Sequence, residues 1–294
     1  MIESKSVGSR VFTVGNVLIL SCLSLVFLYP MWYVLVGSFS DPYRLFISNE
    51  ILVAPLGFSL KGYEQVFKNP NILIGYQNTV LYLVLGTTAN MVMSILGAYV
   101  LSRRELMLKK LFTFMVVFTM YFSGGLIPNF LVVKGIGLLN SRLAIILPTL
   151  ISTWNMIILR TAFRTIPASL EESAKLDGAN DFVVLVRIIL PVSQATLAVL
   201  VLFYAVDYWN SWFNAMIYLK DKSKYPLQLF LREILLANTA NGATAEGFES
   251  SDLLYLEDVV RYSTIIVSTL PILCLYPFVQ KYFMTGVMMG SIKE

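Results

Sequence analysis

One stretch of the chain, residues 203–218, places polar and aromatic side chains inside an otherwise apolar run. Its polar members, which share one stripe of a helix that turns about 100° per residue, are Asp207, Asn210, Ser211, Asn214 and Tyr218. The aromatic residues that flank this stripe are Tyr204, Tyr208 and Trp212. Amides, hydroxyls and a carboxylate can hydrogen-bond a hydroxyl-rich solute, and aromatic faces can cover the C–H surfaces of its rings. The pattern therefore predicts a path for a polar solute.

A structural explanation of the same residues stays open. Polar side chains also pair between membrane helices, and Trp and Tyr are common where a helix meets the lipid headgroups. A carboxylate in lipid is costly unless it faces water or a partner, so Asp207 needs one or the other. Trp154 and Asn155 form a second polar pair in another apolar run, for which contact between helices is the preferred interpretation.

The composition indicates a membrane protein. Soluble domains carry about 25% charged residues, whereas this 294-residue chain is 14% charged and 57% apolar, with a mean hydropathy of +0.71. It contains no histidine, which removes the commonest general base and the commonest metal ligand. The net charge of +4 gives no indication of a nucleic-acid partner. Cys22 and Cys274 lie in apolar runs and are predicted to be free thiols.

Six apolar runs are long enough to cross a bilayer, which takes about 20 residues each. Backbone groups in lipid must be paired within their own segment, so these runs are predicted to be helices. The predicted spans are residues 11–37, 78–101, 111–132, 143–161, 190–218 and 262–281. The predicted fold is all-α, a polytopic membrane protein with six transmembrane helices in a single domain, 1–294.

Basic residues predict the orientation of these spans. Two arginines and two lysines fall within residues 102–110, and short cytoplasmic loops carry an excess of such residues. This predicts an N-in/C-in topology, with residues 41–76 and 219–260 outside the membrane. Connections of that length are usually functional or disordered, and contact with a partner is the preferred interpretation.

A cluster of helix-breaking residues falls in the third predicted span. Gly124, Gly125 and Pro128 lie within five positions of one another, and such a cluster marks a bend or a break. Either the broken backbone lines a polar cavity, or the span ends there and the chain turns outward. Both interpretations stay open.

Residues 165–191, between the fourth and fifth predicted spans, are too polar to cross a bilayer and are predicted to form a helical hairpin. Ser169 and Glu172 have the spacing of a capping box, in which each side chain bonds a free backbone amide of the other. Glu171 is also favourable in the first turn of a helix, where the positive end of the dipole lies. A first short helix is therefore predicted to begin at Ser169.

The second half of the hairpin has its own signals. Gly178 is predicted to end the first helix in a left-handed conformation, and Asp181 is predicted to cap a second helix that runs to Pro191. The orientation of the spans predicts that the hairpin lies on the cytoplasmic side. From these features alone, an amphipathic connector that rests on the headgroups is an equally good interpretation.

The spacing within the hairpin resembles the signature loop of the membrane subunits of ABC importers. The matching elements are Glu172-Ser173-Ala174, then Gly178, and then Ile188 followed by Leu190-Pro191. Ser173 stands where the family pattern has alanine, which is an exchange of one small residue for another. Four elements thus fall at the family spacing over twenty residues.

The resemblance extends along the chain to the sugar-type permeases, such as the second membrane subunit of the maltose importer. It rests on residues 124–141 (GGLIPNFLVVKGIGLLNS), on the pair Trp209-Asn210 and on the tail 286–294 (GVMMGSIKE). Within that group the chain resembles permeases for fragments of pectin or alginate.

This resemblance implies a subunit of the bacterial inner (plasma) membrane that has no catalytic residue or cofactor of its own. It implies a second, related permease, two ABC ATPase subunits that bind ATP and Mg, and an extracytoplasmic solute-binding protein. Residues 165–191 would then be the coupling loop, and the residues expected to act in ATPase coupling are Ser169, Glu171, Glu172, Ala174, Asp177 and Gly178. The chain agrees in one respect, because it contains no G-x-x-x-x-G-K-[S/T] phosphate loop.

Three alternatives are distinguished by simple features. An ABC importer permease for a non-sugar organic solute would keep the hairpin and differ only in the cavity. A self-contained channel or carrier would need no docking hairpin. An intramembrane enzyme would need a convergent acid, base or nucleophile set, and the intramembrane runs offer Asp207 without any histidine.

Overall fold

The computed structural model of the protein describes residues 7–48, 51–103, 105–241 and 255–274. Across these ranges the regular structure is helical, and the extended pairing is limited to an isolated bridge between Ser40 and Phe58. The prediction of an all-α fold is confirmed. The chain divides into two compact units, which are residues 1–69 with 233–270 and residues 70–232 with 271–294, taken over their described parts.

The first unit is built from short and long helices. Its elements are α1 (Val7–Ser38), α2 (Pro42–Ile47), α3 (Lys61–Lys68), the second part of α13 (Leu227–Asn241), and most of α14 (255–274). Asp41 caps α2 by accepting a hydrogen bond from the backbone N–H of Arg44 at 3.2 Å. The helices α3 and α14 approach so closely that a Cβ at Gly62 would overlap Val259 and Ser263.

The second unit contains the longest helix, α4 (Pro70–Ser102), which has 33 residues. Packed with it are α5 (Lys109–Tyr121), α6 (Leu126–Gly135), α7 (Leu143–Thr149), α8 (Thr153–Arg164), α9 (Ala168–Leu176), α10 (Asp181–Val192), α11 (Gln194–Trp209) and α12 (Phe213–Tyr218). The helices α8 and α11 have the most extensive contacts with α4. Their shared core buries Leu159, Leu200 and Tyr204, so α4 is the central element of this unit.

The three spans predicted at 111–132, 143–161 and 190–218 are bent. The bend that Gly124, Gly125 and Pro128 indicate in the first of them is confirmed, whereas the bends in 143–161 and 190–218 correct the helices predicted there. The bends are 112° between α5 and α6, 51° between α7 and α8, and 85° between α10 and α11. Gly125 enters α6 with φ +86, a conformation that favours glycine. Pro148 lies in the tight last turn of α7, and Pro191 lies just before the break at Ser193.

Among the described residues, two helices are long and apolar enough to cross a membrane by themselves, and up to five spans result if each bent pair counts as one. The two single helices are Val11–Ser38 and Pro70–Ser102. The predicted sixth span, 262–281, begins inside α14, and its last residues lie outside the described part of the chain, as does the tail 286–294.

Candidate functional site

The first arm of the hairpin has its N-cap position two residues before the predicted cap, Ser169. Pro167 precedes α9 with an extended backbone (φ −59, ψ 133), and no side chain caps the helix. Ser169 therefore lies inside the first turn, where its hydroxyl cannot cap the helix, and the predicted capping box is wrong. Glu171 lies in the first turn, in agreement with the prediction.

The turn between the two arms has the predicted left-handed residue. Gly178 has φ +84 and donates its N–H to the carbonyl of Lys175 at 3.0 Å. The next N–H, from Ala179, reaches the carbonyl of Ala174 at 2.9 Å. These two bonds form a Schellman motif, which satisfies the last carbonyls of α9 and reverses the chain.

The second arm is capped one residue earlier than predicted. The Asn180 side chain, rather than that of Asp181, accepts the N–H of Val183 at 2.9 Å. Asp181 instead pairs with Lys175 of the first arm at 3.4 Å. Residues Leu185–Ile189 form a π-helical turn, because Pro191 lacks an N–H and its ring would collide with a carbonyl one turn earlier.

The C-terminal end of α4 contacts both arms of the hairpin. Arg103 forms an ion pair with Glu171 of α9, and the Tyr99 hydroxyl donates to the backbone carbonyl of Asp181 at 2.9 Å. The guanidinium carbon of Arg103 also lies 3.8 Å from the centre of the Tyr99 ring. Sequence reasoning used Arg103 only as an orientation signal and did not consider Tyr99. Their spacing of four residues at the end of an apolar helix is a signal that could have found them.

The six residues predicted for coupling fall into two groups. The exposed group contains Ser169, Glu172, Asp177 and Gly178. Glu171 turns inward to Arg103, and Ala174 packs against the core of the second unit. Two apolar side chains that were not predicted stand beside the exposed group, because Leu176 is 89% exposed and Phe182 is 69% exposed. Exposed apolar side chains on a segment that also carries exposed charges are typical of a surface that contacts another protein.

Of the eight residues in the predicted stripe and its aromatic flanks, all but Tyr218 line one cavity of about 540 Å³ in the second unit. These residues are Tyr204, Asp207, Tyr208, Asn210, Ser211, Trp212 and Asn214. The opposite walls come from α4, α7 and the segment before α8, and they contribute Asn90, Ile145, Thr149, Ile151 and Ser152. The lining therefore combines amides, hydroxyls, aromatic rings and a carboxylate.

These residues converge for a reason that differs from the predicted helical stripe. The helix α11 ends at Trp209, and residues 210–212 are not helical before α12 begins at Phe213. Asn214 and Tyr218 therefore lie on a second helix, and Tyr218 packs with Val133 and Ala144 away from the cavity. Asn214 therefore reaches the cavity from α12, after the break, and not from the helix that carries Asp207.

Two tyrosines of the cavity wall are anchored to α4. Tyr204 and Tyr208 are 2% and 5% exposed. The Tyr204 hydroxyl lies 2.6 Å from Ser94 Oγ, and the Tyr208 hydroxyl donates to Asn90 Oδ1 at 3.1 Å. Their hydroxyls therefore form hydrogen bonds between helices, as expected if these polar residues pair between membrane helices. Both residues also line the cavity.

The remaining polar residues are more open. Asp207 is exposed and lines both this cavity and a second one, which also contains Trp154 and Asn155. The Trp212 ring is covered on one face by Arg232, whose guanidinium carbon lies 3.7 Å from the ring centre. Within the described ranges no three His, Cys, Asp or Glu side chains converge as metal ligands would.

Hydrogen bonds to the loop that contains Asn140 fix the chain where it leaves α12. Asn140, in a left-handed conformation (φ 59), accepts the N–H groups of Lys220 and Asp221 at 3.1 and 3.0 Å. Lys224 Nζ donates to the Asn140 carbonyl at 2.8 Å. Hydrogen bonds from Ser223 lower the pKa of Asp221, so this carboxylate stays ionised as the cap of the turn Lys222–Lys224.

The comparisons with known proteins agree with this arrangement. Residues 72–217, which hold both the cavity and the hairpin, match the family described as binding-protein-dependent transport system inner membrane component. The chain is 42% identical to the polygalacturonan/rhamnogalacturonan transport system permease protein of Bacillus subtilis (strain 168), over 92% of this chain and 94% of that protein. It is 24% identical to the arabinooligosaccharides transport system permease protein of the same organism, over 96% of each chain.

A solved structure is also similar. It is a bacterial ABC transporter involved in the import of the acidic polysaccharide alginate, and one of its chains is 31% identical to this one with a TM-score of 0.87. The match covers 95% of this chain and 99% of that chain. The resemblance predicted from the hairpin is therefore confirmed, and the chain belongs to the family of binding-protein-dependent transport system inner membrane components, the permease subunits of ABC transporters.

Proposed function

We propose that this permease forms half of the translocation pathway of an ABC importer for an oligosaccharide. The observation that carries the proposal is the 540 Å³ cavity whose walls combine neutral hydrogen-bond partners with the half-buried indole of Trp212 and the carboxylate of Asp207. Sugar recognition needs such a mixture, since hydroxyls must be paired and ring faces covered. Relatives that carry polygalacturonan and arabinooligosaccharides support this class of solute.

The proposed topology has six spans with both termini in the cytoplasm of a bacterium. Five spans come from α1, α4 and the three bent pairs, and the sixth begins in α14. The basic segment 102–110 supports a cytoplasmic position for the hairpin. Residues 41–76 and 219–260 then face the outside, where a solute-binding protein would dock. The whole chain would act as a single permease domain.

The proposed partners are a second related permease, two ABC ATPase subunits and an extracytoplasmic solute-binding protein. ATP and Mg would bind to the ATPase subunits, so the chemical step would lie outside this chain. The exposed side chains of the hairpin, with Glu172, Leu176 and Asp177 at the centre, would contact an ATPase. Their mixture of apolar and acidic groups supports a docking role.

Motion would reach the cavity through α4. The hairpin is attached to this helix by the Arg103–Glu171 ion pair and by the bond from Tyr99 to Asp181. Asn90, which lines the cavity, lies nine residues nearer the N-terminus than Tyr99 on the same helix. A displacement of the hairpin by closing ATPases would therefore be passed along a continuous helix to the walls.

The test is uptake by the complete importer reconstituted in vesicles, with its binding protein loaded with galacturonic acid oligomers. We expect ATP-dependent uptake, and we expect Asp207→Ala and Trp212→Ala to reduce it about tenfold, a change that the loss of one or two solute contacts produces. Trp154→Ala is the matched control, because this exposed indole lines the second cavity instead. Undiminished uptake in both cavity variants, or uptake of non-sugar solutes alone, would contradict the proposal.

A further inference from the structure

Asn90 lies where three cavity-lining segments meet. It belongs to α4 and is 2% exposed. Its Nδ2 donates to the carbonyl of Thr149 at the end of α7 at 3.0 Å, and its Oδ1 accepts from Tyr208 of α11 at 3.1 Å. The Tyr208 hydroxyl also lies 3.4 Å from Thr149 Oγ1. One buried amide thus closes a triangle of contacts between α4, α7 and α11.

The two halves of this amide are not interchangeable. A carbonyl such as that of Thr149 can only accept a hydrogen bond, so the Nδ2 group of Asn90 must face it. The Oδ1 atom is then left for the hydroxyl of Tyr208, which is a donor. Asn90 is therefore the residue that matches an acceptor on α7 and a donor on α11 at the same time.

Its neighbours on the same face of α4 position the same wall. One turn before Asn90, a Cβ at Gly86 would overlap the Tyr208 ring, so this ring packs directly on the α4 backbone. One turn after Asn90, Ser94 bonds the hydroxyl of Tyr204. Positions 86, 90 and 94 therefore fix where both rings stand.

The hydrogen bond from Asn90 to Thr149 also holds the bend between α7 and α8. Thr149 is the last residue of α7, and the chain turns by 51° before α8 begins. Ile151 and Ser152, which follow in this turn, both line the cavity. A donor that holds the carbonyl of Thr149 therefore fixes the place from which these two residues enter the wall.

We propose that Asn90 is a positioning residue that sets the width of the cavity and thereby its selectivity among solutes. It acts through Tyr208 and through the turn after Thr149. The inference rests on the proposed function, because it takes this cavity as the path of the solute.

The first test compares Asn90→Ala and Tyr208→Phe in the complete importer. We expect each to change the ratio of the KM values for galacturonic acid dimers and trimers by about threefold or more, the effect of one lost hydrogen bond. The double variant should change the ratio no further, because both substitutions open the same triangle. An unchanged ratio in both single variants would overturn the proposal.

The matched control is Tyr82→Phe. Tyr82 is 1% exposed and lies two turns before Asn90 on the same face of α4, and its hydroxyl donates to the Lys224 carbonyl at 2.7 Å. It does not line the cavity. A purely structural loss should lower uptake of both oligomers by one common factor, and this is the result expected for the control.

A second measurement needs no solute. Ser211→Cys, in a chain with Cys22→Ser and Cys274→Ser, reports access to the cavity through its rate of labelling by small and large thiol reagents. We expect Asn90→Ala and Tyr208→Phe, but not Tyr82→Phe, to change the ratio of the two rates by about threefold. Equal ratios in all variants would contradict the positioning role. If the unaltered importer carries none of the oligomers, the proposed function fails, whereas the labelling result still decides the role of Asn90.

Discussion

Replacing Gly178 by valine should abolish solute uptake while the protein remains in the membrane. Gly178 has φ +84, where a side chain with a Cβ costs about 1–2 kcal/mol and a β-branched one is worse. Open space surrounds the position, so the cost comes from the backbone and not from a clash. We expect the Schellman turn to open and the exposed face of α9 to rotate. Whatever ATP hydrolysis remains should then no longer drive uptake.

Gly137→Val is the matched control for this prediction. Gly137 has φ +74 and also has open space around its Cβ position, but it lies in the loop after α6, away from the hairpin. Uptake and ATP hydrolysis measured side by side should show a much larger loss of coupling for Gly178→Val. Equal losses in the two variants would indicate general strain and would count against a coupling role for the hairpin.

Reversing the charge of Arg103 should have the second largest effect. Arg103→Glu places two carboxylates together where the ion pair with Glu171 now holds the first arm to α4. Because both side chains are largely buried, repulsion there is weakly screened, and breaking a pair of this kind costs about 3–5 kcal/mol. We expect uptake to fall by more than about tenfold.

The charge-swapped double variant separates attachment from other effects. Arg103→Glu combined with Glu171→Arg restores an ion pair of opposite polarity, and it should recover a substantial part of the uptake. Recovery stays incomplete because the stacking of Arg103 on Tyr99 is lost. If the double variant were as inactive as Arg103→Glu alone, the ion pair would not be the link between hairpin and α4.

Much of this hairpin could be predicted from local signals. A glycine between two short amphipathic segments predicts a left-handed turn, and Gly178 has that conformation. The first cap was misplaced by two residues and the second by one, because Pro167 and Asn180, rather than Ser169 and Asp181, occupy the position before the helix. Local sequence patterns do not decide which of two neighbouring candidates lies just outside the helix, and helix ends are uncertain by one or two residues.

The bends in the fourth and fifth predicted spans could not be predicted in the same way, whereas Gly124, Gly125 and Pro128 did mark the bend in the third. An apolar run of about 20 residues satisfies the length criterion whether the helix is straight or broken. The break at 210–212 depends on contacts of the following helix with other segments, such as Tyr218 with Val133. The cavity residues were nevertheless identified. A polar residue within an apolar run is costly in lipid and therefore marks a surface that faces water or another polar group.

The role of α4 was missed entirely. Its polar and small residues recur every fourth position, at Asn78, Tyr82, Gly86, Asn90 and Ser94, and all five are buried in the structure. Residues spaced by four lie on the same face of a helix, so these five residues form a ridge along it. It could have been read from the sequence, although the partners of each residue, such as the carbonyl of Thr149, could not.

The most direct test of the account uses a single cysteine at the tip of the hairpin. Leu176 is 89% exposed and lies beside Glu172 and Asp177. In a chain with Cys22→Ser and Cys274→Ser, the thiol of Leu176→Cys in intact membranes should react with an impermeant thiol reagent only from the cytoplasmic side. It should also crosslink to an ABC ATPase subunit. Labelling from the outside, or efficient crosslinking at this position to the solute-binding protein instead of an ATPase, would contradict the proposal that this hairpin couples the permease to its motor.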